Sequence, residues 1–235
     1  KDLIDNSIFY NTEFLQKSNT AATGKCIVLI TPDKERTMNT YLGATEFLTD
    51  IDIDEELIAQ SEWLYLEGYR FDGQKSKKAF YKAIEIAKKN KTKIALTLSD
   101  SFCVDRHRSD FIYLLNVSAD MVFCNEEELK SLYQIDDIKK AKEFIVDSIS
   151  CVACTCAERG AYLFHGSSTS EISTNKVAVV DTTGAGDSFA AGFLYGLSKN
   201  FTFEKCAAFG NVIAGEVLKV YGPRVEKSLK NVVLS

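Results

Sequence analysis

Short runs of uninterrupted apolar residues alternate along this chain with longer segments whose apolar positions fall three and four apart. CIVLI at 26–30 and TMNTYL at about 37–42 predict two strands, joined by TPDKER with Pro and Asp in turn positions. Residues 54–60 predict a short helix, and Trp63–Glu67 a strand ending at Gly68. KSKKAFYKAIEIAKKN, residues 75–90, predicts an amphipathic helix, because Ala79, Phe80, Ala83, Ile84 and Ala87 share one face. KIALTL (93–98) and MVFC (121–124) predict strands, with a helix at about 105–117 between them. NEEELKSLY opens another helix, and Ile138–Ser148 predicts one more. CVACT, AYLF and KVAVV predict strands, followed by helices at about 186–199 and 203–220. Short apolar strands between amphipathic helices imply an α/β fold with a mostly parallel sheet covered on both faces. Ligands of such sheets bind at the carboxyl ends of the strands. The loops after 67, 98, 124, 155 and 180 are therefore where chemistry is expected.

Composition narrows the function classes. The 235 residues include two prolines and show no repeat or Ser/Gly-rich linker, so one continuous domain is expected over 1–235. Lys plus Arg number 28 and Asp plus Glu 33, a net charge of −5 that disfavours nucleic acid or an anionic membrane as partner. No apolar run approaches the ~20 residues that span a bilayer. The seven cysteines lie mostly inside apolar runs, and their odd number suits reduced thiols in a cytoplasm. Cys151 and Cys154 have the spacing of a zinc or redox pair, but no second such pair accompanies them, and buried strand cysteines are the simpler reading.

The stretch KVAVVDTTGAGDSFAAGFLYGL carries the most chemistry. A strand runs into Asp181-Thr182-Thr183, then Gly184-Ala185-Gly186-Asp187, then a helix rich in small residues. Gly184 and Gly186 permit a tight turn and close approach of backbone to a ligand. The first N–H groups of the helix and its dipole make a site suited to phosphate. Asp187 has two readings. It caps the helix, or it accepts a proton from an alcohol attacking a phosphoryl group. Two other phosphate loops are excluded. Gly68-YRFD-Gly73 is followed by Gln74 rather than the Lys of a P-loop, and Phe189 stands where a dinucleotide fingerprint has its third Gly. Asn125-Glu126-Glu127-Glu128 reads alone as a helix N-cap with an acidic first turn.

DTTGAGDSFAAGF resembles the C-terminal signature of the ribokinase-like (PfkB) family of sugar and nucleoside kinases, and Asn125 and Glu128 resemble its N-x-x-E motif. TPDKERTMNTYLGA, WLYLEGY, ALTLSDSFCVDRHR and FGNVIAGEVLKVYGPR resemble the adenosine-kinase-like branch. The resemblance implies a central sheet flanked by helices, a small β lid at about 26–42, and ATP and Mg2+ as cofactors. It implies Asp187 as catalytic base, with Gly184, Ala185 and Gly186 lining an anion hole. Asn125 and Glu128 would hold the magnesium and phosphate surroundings, Glu128 through water. Asp181 and Thr183 would hold a monovalent cation such as K+, although turn chemistry explains Asp181 equally well. Thr155, Cys156 and Gly160 would run along the nucleotide, Asn211 would meet its adenine unless it is simply a polar residue of the helix interior, and Gly222 would lie in the loop closing over that base. Arg36, Asn39 and the Glu67-Gly68-Tyr69 stretch would face the acceptor, with Arg36 otherwise a plain turn charge. Adenosine is the first expected acceptor and a ribose- or fructose-type sugar the next. A homodimer through the lid is also implied. The alternative is a non-catalytic nucleotide- or sugar-binding regulator on the same fold. The family's opening strands and paired-glycine motif have no counterpart here, so the natural chain is expected to be longer by an additional ~80–100 residues.

Overall fold

In the computed structural model, which describes residues 11–32, 36–225 and 229, the first regular elements are Lys25–Ile30 (β1) and Arg36–Tyr41 (β2). They pair antiparallel as a separate two-stranded sheet, with Ile27 opposite Asn39. Most of the turn between them and the segment KDLIDNSIFY lie outside the described residues. The short helix Glu55–Gln60 (α1) follows, its N-terminus capped by Asp54, whose Oδ1 accepts from the Leu57 N–H at 2.9 Å.

The main sheet is built next, from Trp63–Glu67 (β3), Lys93–Thr97 (β4), Met121–Asn125 (β5), Cys151–Thr155 (β6), Ala161–His165 (β7) and Ser168–Ile172 (β8). Its strand order is that of the sequence. The first four strands are parallel, and β7 and β8 are added antiparallel. The helices Gln74–Asn90 (α2), Ser101–Val117 (α3) and Glu126–Tyr133 (α4) provide the crossovers. Ala185–Ser198 (α5) and Phe203–Val217 (α6) close the chain's regular structure.

Strand alternation divides the core in two. Val122 and Cys124 of β5 join the layer of α2, α3 and α4, with Phe80, Phe111, Leu114 and Leu129. Met121 and Phe123 point to the opposite face, where Phe189, Phe193, Cys206 and Ala207 of α5 and α6 cover them. The Phe123 and Phe193 rings meet edge-on, with centroids 5.5 Å apart. The α/β expectation therefore holds, and so does the amphipathic face of α2: Ala79, Phe80, Ala83, Ile84 and Ala87 are all buried.

Three elements depart from the pattern reading. Residues 176–180 form no strand; the third strand of that region is β8, whose polar sequence STSEI suits an exposed edge. The valines of 177–180 instead pack toward α6, and the Val180 N–H donates to the Leu218 carbonyl at 2.8 Å. Residues 138–148 make only a 3-10 helix, Ile138–Glu143, followed by turns. Ile138 and Ala141 fall on one side at its threefold period and are buried. Helix α3 starts a turn earlier than apolar periodicity indicates. Asp100 caps it, accepting from the Cys103 N–H at 2.6 Å, and the helix is kinked at His107.

The small residues of α5 and α6 bring the two helices unusually close. A Cβ on Gly192 would lie 2.9 Å from the Gly210 Cα, and one on Gly196 would lie 2.8 Å from the Cys206 Sγ. Gly192→Ala is therefore expected to wedge the helices apart and cost about 1–3 kcal/mol, against a helix-propensity gain of roughly 1 kcal/mol. Thermal unfolding checks this. A melting temperature equal to or above that of the parent chain would show that the helices are free to separate.

Candidate active site

The turn before α5 gathers most of the expected chemistry. Gly184 sits in the left-handed region, φ 78°, and a Cβ there would come within 2.6 Å of Pro223. The Ala185 N–H is used within the turn, donating to the Thr182 carbonyl at 3.3 Å. The N–H groups of Gly186 and Asp187 find no backbone acceptor among the described residues. Gly186 itself has an ordinary φ, and a Cβ there would meet nothing within 4 Å. The fold thus does not require glycine at 186, whereas it does at 184.

Asp181 fastens this turn from below. Its side chain is only 1% exposed. Oδ1 accepts from the Thr183 N–H at 2.8 Å and the Thr183 hydroxyl at 2.7 Å. Oδ2 accepts from the Gly222 N–H at 2.8 Å, which ties the loop after α6 to the start of α5. Gly222 has φ 82°, so glycine suits it for backbone reasons. Asp187, two residues inside α5, is exposed and accepts no hydrogen bond among the described residues. It lies close enough to Glu67 and Tyr65, at the end of β3, to act on both. Burial is the main cause that raises the Glu67 carboxyl and the Tyr65 hydroxyl above their ordinary values, and the Asp187 charge adds to each.

Asn125 and Glu128 form a reciprocal capping box at the start of α4. Asn125 Oδ1 accepts from the Glu128 N–H at 2.9 Å, the Asn125 N–H donates to Glu128 Oε2 at 3.1 Å, and Asn125 Nδ2 donates to Oε1 at 2.6 Å. Burial pushes the Glu128 carboxyl up to about 7, with Asp100 and Glu127 adding to the shift and the Asn125 backbone opposing it.

A cavity of about 550 Å³ opens between the strand ends and α5 and α6. Asn125, Thr155, Gly160, Thr182, Ala185, Gly186 and Asn211 all line it. Gly160, φ 94°, is demanded by the chain itself, since a Cβ would lie 2.1 Å from the Ile172 carbonyl oxygen. The Cys156 side chain does not line the cavity; it is buried, and its thiol donates to the Cys154 carbonyl at 3.6 Å. Asp181, Thr183, Glu128, Asp187 and Gly222 do not line the cavity. Gly68 is not presented to ligand: it is buried, and a Cβ there would meet the Thr97 and Leu98 carbonyls at 2.9 Å. Asn39 is exposed on the β1–β2 hairpin, outside the cavity lining, and Arg36 opens the same strand. Residues 174–177 and Val179 also line the cavity, although the apolar pattern of 176–180 predicts a strand there. No group of three His, Cys, Asp or Glu residues arranged to hold a metal occurs among the described residues, and all seven cysteines are free.

A sheet of four parallel and two antiparallel strands, with a glycine turn opening a helix at the strand ends, is the ribokinase-like α/β fold. The chain belongs to the pfkB family of carbohydrate kinases, which it matches over residues 10–229. It resembles the crystal structure of adenosine kinase from Sinorhizobium meliloti, at 39% identity and a TM-score of 0.85 over 89% of this chain and 65% of that one. It is 28% identical to adenosine kinase of Saccharomyces cerevisiae over 88% of this chain and 64% of the yeast protein. It is 36% identical to an uncharacterized sugar kinase of Archaeoglobus fulgidus over 43% of this chain and 40% of that protein. The chain thus spans 40% to 65% of the lengths of these relatives.

The Glu128 environment makes a pH-dependent contribution to stability. The folded chain holds this proton more tightly than the unfolded chain, whose carboxyl has its ordinary value of 4.5. Ionising Glu128 therefore costs stability as pH rises from about 4.5 to about 7. Glu128→Gln keeps a residue suited to the capping box and carries no such cost. Thermal unfolding without divalent metal is expected to show the variant gaining on the parent between about pH 5 and about pH 8. An offset that stays constant with pH would contradict the burial assigned to this carboxylate.

Proposed function

We propose that this chain carries the phosphoryl-transfer site of an ATP-dependent kinase acting on a hydroxyl of a sugar or nucleoside, with adenosine the first acceptor and a ribose- or fructose-type sugar the next. The observation that carries the reading is the pair Gly186 and Asp187. Gly186 keeps open a space that the chain's own packing leaves empty, beside unspent N–H groups and facing the cavity. One residue on, Asp187 holds an exposed carboxylate that accepts no hydrogen bond among the described residues. In the reaction, the first-turn N–H groups bind the charge on the transferring phosphoryl group, and Asp187 takes the proton of the attacking hydroxyl.

The donor set near the cavity fits Mg2+ through water. Asn125 and Glu128 offer an amide and a carboxylate, but both carboxylate oxygens already accept from Asn125. Bound there, Mg2+ would neutralise phosphate charge. Asp181 and Thr183 would hold a monovalent cation such as K+ beneath the turn. Thr155 and Gly160 would flank the nucleotide, and the loop at Gly222 would close over its base. The β1–β2 hairpin serves in this reading as a lid. One of its faces exposes Ile27, Leu29 and Tyr41 around Asn39, a surface suited to the acceptor side or to a homodimer.

Asp187→Asn is expected to lower turnover with adenosine or the sugar acceptor by ~10²-fold or more, with ATP binding retained in a calorimetric titration. Turnover above about a tenth of the parent would remove Asp187 from the base role. Gly186→Ala separates fold from function. Its melting temperature should stay level or rise, since alanine favours helix by up to ~1 kcal/mol. Nucleotide affinity should fall by about tenfold or more as the methyl enters the anion space. Unchanged affinity would place the phosphates elsewhere.

A further inference from the structure

We infer that Asp72 and Arg106 are positioning residues for the acceptor: their ion pair holds the turn that follows Glu67, and with it the loop after β4, in place against Asp187. This rests on the kinase reading of the site, with the acceptor at the ends of β3 and β4. The 3-10 turn Gly68–Asp72 leaves β3 directly, and the Asp187 charge reaches Glu67 at its start. The placing of that turn therefore sets where an acceptor beside Glu67 lies relative to the Asp187 carboxylate.

The turn is fastened to α3 at both ends. At the far end Asp72 accepts a fork from Arg106, Nε to Oδ1 and Nη2 to Oδ2, each at 2.9 Å, and His107 Nε2 lies 2.7 Å from Oδ1. At the near end the Tyr69 N–H donates to Ser99 Oγ at 3.2 Å, the Tyr69 hydroxyl to the Ser99 carbonyl at 3.3 Å, and the Cys103 thiol to the Gly68 carbonyl at 3.4 Å. Ser99 has φ 76°, a left-handed conformation that a residue other than glycine keeps only when its neighbours hold it there. Helix α3 breaks just after Arg106, at His107, with φ −124° and ψ 22°. Residues 101–106 are thus tied to the turn. Beyond the break, Asp110 ties the rest of α3 to α2 instead, accepting from Lys77 Nζ at 2.6 Å and the Tyr81 hydroxyl at 2.8 Å.

The apolar packing of the turn fixes less. Phe71 is buried against Phe80, Tyr81 and Phe111, which anchors a single point. A planar fork fixes direction as well as distance. Both partners are exposed, Asp72 by 41% and Arg106 by 50% of their side chains, and exposed pairs add little stability. The pair therefore matters more to the placing of the turn than to the survival of the fold.

The test is steady-state kinetics of Asp72→Asn, Arg106→Lys and the double variant, with ATP as donor and adenosine, ribose and fructose as acceptors. Arg106→Lys keeps the charge and loses the fork. Each single variant is expected to raise the acceptor KM by about fivefold or more, while the ATP KM stays within about twofold of the parent. The double variant should be no worse than the more affected single one, since both changes remove the same interaction. Melting temperatures should fall by no more than about 4 °C. Should Asp72→Asn fail to fold, Arg106→Lys decides alone. An acceptor KM unchanged in Arg106→Lys, an ATP KM that rises with it, or a larger fall in its melting temperature would overturn the positioning role and leave the kinase reading standing. Absence of turnover by the parent chain with all three acceptors would overturn both.

Discussion

Asp181 is a buried carboxylate that accepts three hydrogen bonds, two from Thr183 and one from Gly222. Bonds to a charged acceptor are worth roughly 1.5–3 kcal/mol each, and removing the acceptor would leave its donors without a partner. The consequences reach past the turn. Because Gly222 is fixed, Pro223 lies against Gly184, and Gly184 can adopt its left-handed conformation only as glycine. That conformation ends the approach to α5 and leaves the Gly186 and Asp187 N–H groups facing outward. One side chain therefore couples the loop after α6 to the N-terminus of α5, and both elements wall the cavity.

The same region is short of side-chain bulk for two different reasons. Gly192, Gly196 and Gly210 let α5 and α6 approach almost backbone to backbone, and Gly160 and Gly184 answer to positive φ angles and to close neighbours. These are demands of the fold. Gly186 answers to none of them. A residue that the packing would allow to be larger, in the first turn of a helix and on a cavity wall, points to something outside the chain that needs the room.

Strand and helix order was readable because buried parallel strands are almost uniformly apolar, as in Ile94–Leu96 and Met121–Cys124, and α2 shows an unbroken helical stripe. The misplaced strand has a plain cause: an apolar run does not by itself imply pairing. Residues 177–180 are apolar because they cover α6 and line the cavity, while β8 pairs at an edge with polar side chains. The turn at 181–187 was legible because each position there is constrained by a local requirement. Gly68 illustrates the opposite case. Its neighbours in sequence suggested a ligand, but its small size serves the close approach of the Thr97 and Leu98 carbonyls. Contacts between distant segments of that kind leave no local pattern to read.

Electrostatics gives the α5 terminus two unlike sides. Glu67 and Tyr65 are raised by burial and then by Asp187, while Glu128 acts on Tyr65 and is itself raised by burial first and by Asp100 after it. The Glu67 and Asp187 carboxylates, at the end of β3 and the start of α5, thus sense one another across the strand ends. A phosphate approaching through them would be repelled. From the cavity side it meets the helix dipole and unspent N–H groups instead. A neutral hydroxyl suffers no such repulsion and gains acceptors on the carboxylate side. The two approaches are separated by a single peptide unit, between Gly186, which lines the cavity, and Asp187, which does not. Under the proposed function, a phosphoryl donor and a neutral alcohol would take opposite sides of this helix end, each favoured where the other is not.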